Sequence, residues 1–142
     1  MVQRQPKRWG AIVAAVVATA LAMVVLDLAW LGVIARGLYD SSLAPLKRAD
    51  VYLPAAALFY AFYIASIVHH AVLPAASAKQ AFGRGAAMGL FAYATYDLTN
   101  WAVLRDWPAL IVPVDILWGI GLTGVAAMAG RWAYGRLAGV ER

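Results

Sequence analysis

No cysteine occurs in this 142-residue chain, which excludes disulfides, thiolate metal sites and cysteine nucleophiles. Charge is also scarce. Charged residues make up 13% of the sequence, about half the share of a soluble domain, against 64% hydrophobic residues. With a mean hydropathy of +0.72, an integral membrane protein is the class that suits these values together. Neither a nucleotide-binding glycine motif, nor a serine elbow, nor a zinc signature occurs. No internal repeat or linker is visible, so one domain over residues 1–142 is expected, with no cofactor.

Four apolar runs are long enough to cross a bilayer, which takes roughly 20 residues. They cover about residues 9–35, 51–73, 85–104 and 109–130. The expected fold is all-α, a polytopic membrane protein built as a compact four-transmembrane-helix bundle. Only "RDWP" separates the last two runs, which makes them a tight antiparallel hairpin. The 36–50 connection, "RGLYDSSLAPLKRAD", has room for a short surface helix. "MVQRQPKRWGAIVAAVVATALAM" is similar to a signal peptide with an Ala-x-Ala site, but its apolar run continues well past a normal signal, so retention is expected.

The net charge of +5 invites a nucleic-acid reading. The basic residues, however, sit in gaps between apolar runs and form no stripe, so no nucleic-acid partner is expected. Arg4, Lys7, Arg8, Lys79, Arg84, Arg131, Arg136 and Arg142 fall on the side of the termini, whereas Arg36, Lys47, Arg48 and Arg105 fall on the other. That imbalance predicts a bacterial inner-membrane protein with both termini cytoplasmic. Trp9, Trp107 and Trp132 lie at run ends, where interfacial aromatics belong.

Within so apolar a chain, "YATYDLTN" at 93–100 is a polar knot. Counting helical rise from the run ends puts Asp27, Asp97 and Asp115 roughly 9–12 Å below one surface. An aspartate near a spanning helix centre costs roughly 2.5–3.5 kcal/mol, and no Lys or Arg lies inside a run to offset it. The three should therefore face the bundle interior. At least some should be protonated, since desolvation and like-charge neighbours disfavour the charged form. Neutral partners are available in Asn100, Thr95, Thr99, Tyr93, Tyr96, Tyr60 and Tyr63. Helical spacing aligns Tyr93, Asp97, Asn100 and Trp101 on one stripe, and pairs Asp27 with Trp30 and Asp115 with Trp118 at i,i+3.

Interhelical glue, worth about 0.6 kcal/mol per contact, is the bland alternative, and Gly85 with Gly89 forms a small-residue packing face. Three aspartates at one level point instead to a polar cavity on the non-cytoplasmic side, because Asn or Ser would glue at lower cost. His69 and His70 sit at the far end of the second run, and adjacent helical residues diverge by about 100°, so no metal site is expected there. A magnesium site for a lipid diphosphate on the three aspartates lacks the usual carboxylate-rich loop. Pro113 is expected to kink the fourth run beside Asp115.

"DLAWLGVIARGLYDSSLAPL", "AALFYAFYIASIVHHAVLPA" and "YATYDLTNWAVLRDWP" with "VDILWG" resemble the DUF2177 family of predicted bacterial membrane proteins. The resemblance runs from Asp27 to about Gly124 and implies a four-helix inner-membrane protein, with no catalytic residue to carry over. The leading expectation is a protein of membrane lipid that binds, or binds and modifies, a small lipophilic molecule. Asp27, Trp30, Tyr60, Tyr63, Tyr93, Tyr96, Asp97, Asn100, Trp101, Asp115 and Trp118 are the candidate ligand-binding residues. The alternatives are a proton-coupled transporter subunit, which would need a homo-oligomer, and an assembly subunit whose aspartates pair with another membrane subunit.

Overall fold

The computed structural model describes residues 5–139. Arg4 and Arg142 of the charge count lie outside them. The described residues are all-helical. Helix α1 spans Gln5–Ala29 and runs on through a π-helical turn, Trp30–Ile34, closed by the Ala35 N–H on the Trp30 carbonyl at 2.7 Å. The short α2, Arg36–Ser42, folds back over that end. Helix α3, Leu53–Ile67, has proline in its first turn and also ends in a π turn, Val68–Val72. Helices α4, Ala78–Val103, and α5, Ile111–Ala138, form the hairpin.

Local sequence explains the ends. Ser77 Oγ accepts the Gln80 N–H at 3.1 Å while the Gln80 side-chain oxygen accepts the Ala76 N–H, a reciprocal cap at the start of α4. Gly139, at φ +67°, closes α5 in the left-handed conformation that glycine adopts without strain. Pro113 does not kink its helix. Because α5 starts at Ile111, this proline falls in the first turn, where the missing N–H has no intrahelical acceptor to lose.

Among the described residues, three helices are long and apolar enough to cross a membrane: Arg8–Ile34, Leu53–Val72 and Ile111–Ala138. Helix α4, at 26 residues, has the length, but Lys79, Arg84, Asp97 and Asn100 lower its apolarity.

The core is built on residues four apart. On α1 the buried row is Ala11, Ala15, Thr19, Met23 and Asp27. On α4 it is Ala81, Gly85, Gly89 and, past half-buried Tyr93, Asp97. Helix α5 lies between them and carries two such rows. Asp115, Gly119, Thr123 and Ala127 face α4, where a Cβ on Gly85 would come within 2.6 Å of the Thr123 carbonyl and 2.7 Å of the Ala127 Cβ. The other row begins at Trp118 and ends at Gly130, where a Cβ would meet Thr19 and the Ala15 carbonyl of α1; Leu122 and Ala126, between them, are buried. These pairings make α5 antiparallel to both neighbours, and all three rows reach their aspartate at the same end. At the opposite end Arg131 is buried, donates to the Ala76 carbonyl at 3.3 Å and lies over the Tyr134 ring.

Candidate functional site

The aspartate end is built from every helix. Asp27 is buried and accepts two bonds, from the Tyr60 hydroxyl of α3 at 2.9 Å and from Trp118 Nε1 of α5 at 3.3 Å. The Tyr39 hydroxyl of α2 donates to Asp115 and accepts from Trp30 Nε1 at 3.3 Å. Trp30 and Trp118 lie flat against each other, ring centroids 4.5 Å apart and planes 5° from parallel.

The i,i+3 carboxyl–indole pairs thus do not close within their own helices as the spacing suggested. They are exchanged: Trp118 serves Asp27, and Trp30 serves Asp115 through Tyr39. The antiparallel run of α1 and α5 is the reason. A three-residue step on α1 and the same step on α5 point in opposite directions along the bundle. Each indole, leaning toward its own N-terminus, therefore arrives at the level of the other helix's carboxyl.

Asp97 differs from both. It is 0% exposed, and neither carboxyl oxygen receives an N–H or O–H bond of good geometry; the Asp115 carboxyl beside it is close enough to share a proton with it. Its other neighbour is the indole of Trp107, whose Nε1 is buried and has no well-formed acceptor. Trp107 is therefore not the exposed interfacial ring its position suggested. The hairpin turn folds it inward, whereas Trp9 and Trp132 are exposed. The three carboxyls have one another as charged neighbours: Asp115 acts on both Asp27 and Asp97. Arg36 and Lys47, on the loop beside them, both pair with Asp40 at the exposed rim. Their charges hold the Asp40 carboxyl below the usual carboxylate range, Lys47 foremost.

The expected stripe on α4 splits. Tyr93 packs its ring on Gly119, where a Cβ would collide with it, and its phenol lies within electrostatic reach of Asp27, Tyr63, Asp115 and Tyr39. Tyr63 shares a 2.8 Å bond with Thr123 Oγ1. Asn100 is half-buried one turn beyond Asp97. Trp101 and Tyr96, 51% and 57% exposed, face outward, since they lie past the four-residue row or beside it. Thr99 also faces out and donates to carbonyls of its own helix, Thr95 and Tyr96. His69 and His70 are exposed, their rings edge to face at the far end.

Sequence reasoning missed Tyr39, Thr123 and the inward role of Trp107. Thr123 had a signal, since it falls two four-residue steps from Asp115; Tyr39 had none. Burial pushes the Tyr39 phenol well above the ordinary tyrosine value, and its bond to Asp115 adds to that, so it remains a donor at physiological pH. Tyr39→Phe should leave the Trp30 indole without its acceptor and Asp115 without its donor. That should cost about 1–3 kcal/mol, read as a lowered thermal midpoint in mild detergent; an unchanged midpoint would show that α2 does not hold this end together.

Between α3 and α4 the bundle opens sideways. A cleft of about 320 Å³ is lined by Phe59, Tyr63, Ala92, Tyr93 and Tyr96, and the surface it exposes is apolar. Tyr93 and Tyr63 form the wall between this cleft and the carboxyls. The arrangement can hold an apolar body from the side and offer acceptor oxygens to its polar end. No curated protein and no solved structure matches the chain. The family model described as predicted membrane protein, DUF2177, matches residues 11–132, and the chain belongs to that family.

Proposed function

We propose that this protein holds a small lipophilic molecule or lipid by its polar end, inside a bundle of four membrane-crossing helices. Helix α4 is the fourth span. It is about 39 Å long by helical rise and is packed against α5 along its row of small residues. The distribution of Lys and Arg supports an inner-membrane location with both termini cytoplasmic and the aspartate end outward. Asp27, Asp97 and Asp115 supply the polar contacts, Trp30 and Trp118 an aromatic wall, and the α3–α4 cleft the apolar seat. A mostly apolar pocket with a few convergent polar groups is the usual form of a small-molecule site.

The observation that carries this reading is Asp97: a wholly buried carboxyl to which no hydroxyl or N–H of the protein makes a well-formed bond, set against a second carboxyl, Asp115. A purely structural role is a poor account of it, because buried polar groups that serve packing are paired. The test is purification in mild detergent followed by mass spectrometry of what co-purifies, with Asp97→Asn in parallel. A defined lipophile in the wild type and its loss from the variant is the expected result. Bulk phospholipid alone in both samples would refute the reading.

A further inference from the structure

Resting on the ligand-holding reading above, we propose that the ligand is a lipophilic cation: an ammonium or phosphonium head carrying apolar groups, entering sideways through the α3–α4 cleft.

Charge complementarity favours this head over the others. Among the described residues, Asp27, Asp97 and Asp115 have only one another as charged neighbours; of the cations at this end, Arg36 and Lys47 pair with Asp40 and Arg48 lies over the Tyr52 ring. An ionised carboxylate in an apolar interior requires an opposing charge, and in its absence a proton takes that place. Asp27 and Asp115 each receive hydrogen bonds from the protein, whereas the Asp97 oxygens receive none of good geometry. The site can therefore take a positive charge in the place of that proton. A phosphate or carboxylate head would instead meet three carboxyl groups on which no Lys or Arg acts.

The surroundings suit a poorly hydrated cation. The stacked Trp30–Trp118 pair and the rings of Tyr63 and Tyr93 offer π faces beside the carboxyls. Attraction of a desolvated cation to such faces is the usual basis of onium recognition. The cleft on the other side of Tyr63 and Tyr93 exposes apolar surface, so the body of the ligand must be apolar as well, and these two rings must turn aside for its head to meet the carboxyls. Tyr93 joins the two halves: its ring lines the cleft and its phenol lies among Asp27, Asp115 and Tyr39.

Two probes of matched size and opposite charge, tetraphenylphosphonium and tetraphenylborate, separate the outcomes in equilibrium dialysis against the purified protein in mild detergent. Saturable binding of tetraphenylphosphonium and none of tetraphenylborate is the expected result, with phosphonium binding weakened at least tenfold in both Asp97→Asn and Asp115→Asn. A thermal midpoint for each variant confirms that it is folded. Equal saturable binding of both probes overturns the preference for cations and leaves the ligand-holding reading intact. A neutral or anionic lipophile found by mass spectrometry, without phosphonium binding, does the same. No saturable binding of either probe, together with bulk phospholipid only, overturns both.

Discussion

Gly89→Val should unfold the α4–α5 hairpin or nearly so. A Cβ at Gly89 would overlap the carbonyl of Gly119 and approach Thr123 Oγ1 to 2.8 Å. The closest contact is with a backbone carbonyl, and the backbone fixes where the Cβ stands, so no rotamer change relieves it and the helices must separate. Overpacking a well-packed core costs about 1–3 kcal/mol where side chains can adjust; here the cost should be at or above the upper figure. Separation would also pull Asp97 away from Asp115. Gly83, on the same helix, has nothing within 4 Å of where its Cβ would stand. Gly83→Ala should therefore stabilise by up to about 1 kcal/mol through helix propensity alone. Thermal unfolding followed by tryptophan fluorescence in mild detergent distinguishes the two. Similar midpoints for Gly89→Val and the wild type would mean that the helices do not touch along this row.

The second expected result concerns two carboxyls near one level whose removal should act with opposite sign. In Asp97→Asn the new amide can donate to the Asp115 carboxyl, which already accepts from Tyr39, while its oxygen accepts from Trp107 Nε1, which has no well-formed acceptor in the wild type. Satisfying a buried polar group is worth about 1–3 kcal/mol, so the variant should melt higher than the parent while losing its ligand. Asp27→Leu instead strands the Tyr60 hydroxyl and the Trp118 N–H. That should cost about 1–3 kcal/mol for each donor left buried. If the three aspartates were interhelical glue, both substitutions would destabilise. Finding Asp97→Asn less stable than the wild type would remove the physical ground for treating Asp97 as a group kept for binding.

Composition and apolar run lengths made the all-helical membrane class legible, because a bilayer imposes one length and one polarity on whatever crosses it. The three aspartates were legible for the same reason: a carboxyl inside an apolar run is costly wherever it lies. Which side chain meets which was not legible. The Asp27–Trp30 and Asp115–Trp118 spacings are real, yet the bonds cross between helices, and a single-helix pattern carries no information about its antiparallel neighbour. Trp101 was placed on the Asp97 stripe by its four-residue spacing, and Tyr96 and Thr99 were counted as available neutral partners. In the fold Trp101 lies one step past the buried end of the row and Tyr96 and Thr99 lie beside it, and all three are exposed. The short helix in the 36–50 connection was anticipated, but not the burial of Tyr39 beneath it. That contact spans 76 positions to Asp115, beyond the reach of any local pattern.

A row of residues four apart does not run straight along a helix. Each step of four advances about 40° around an axis of 3.6 residues per turn. Helices that stay in contact along such rows coil about one another with a right hand, opposite to the heptad coiled coil. In this protein Asp27 and Asp97 are themselves the last buried members of their rows, and Asp115 stands one step inside the end of its own, at Ile111. The ruler that spaces the glycines and alanines of the interface also aims the carboxyls. One residue inserted between Ala81 and Asp97 would turn the aspartate about 100° away from its neighbours. The spacing along α4 therefore fixes the supercoil and the carboxyl cluster together, and a change of register cannot alter one without the other.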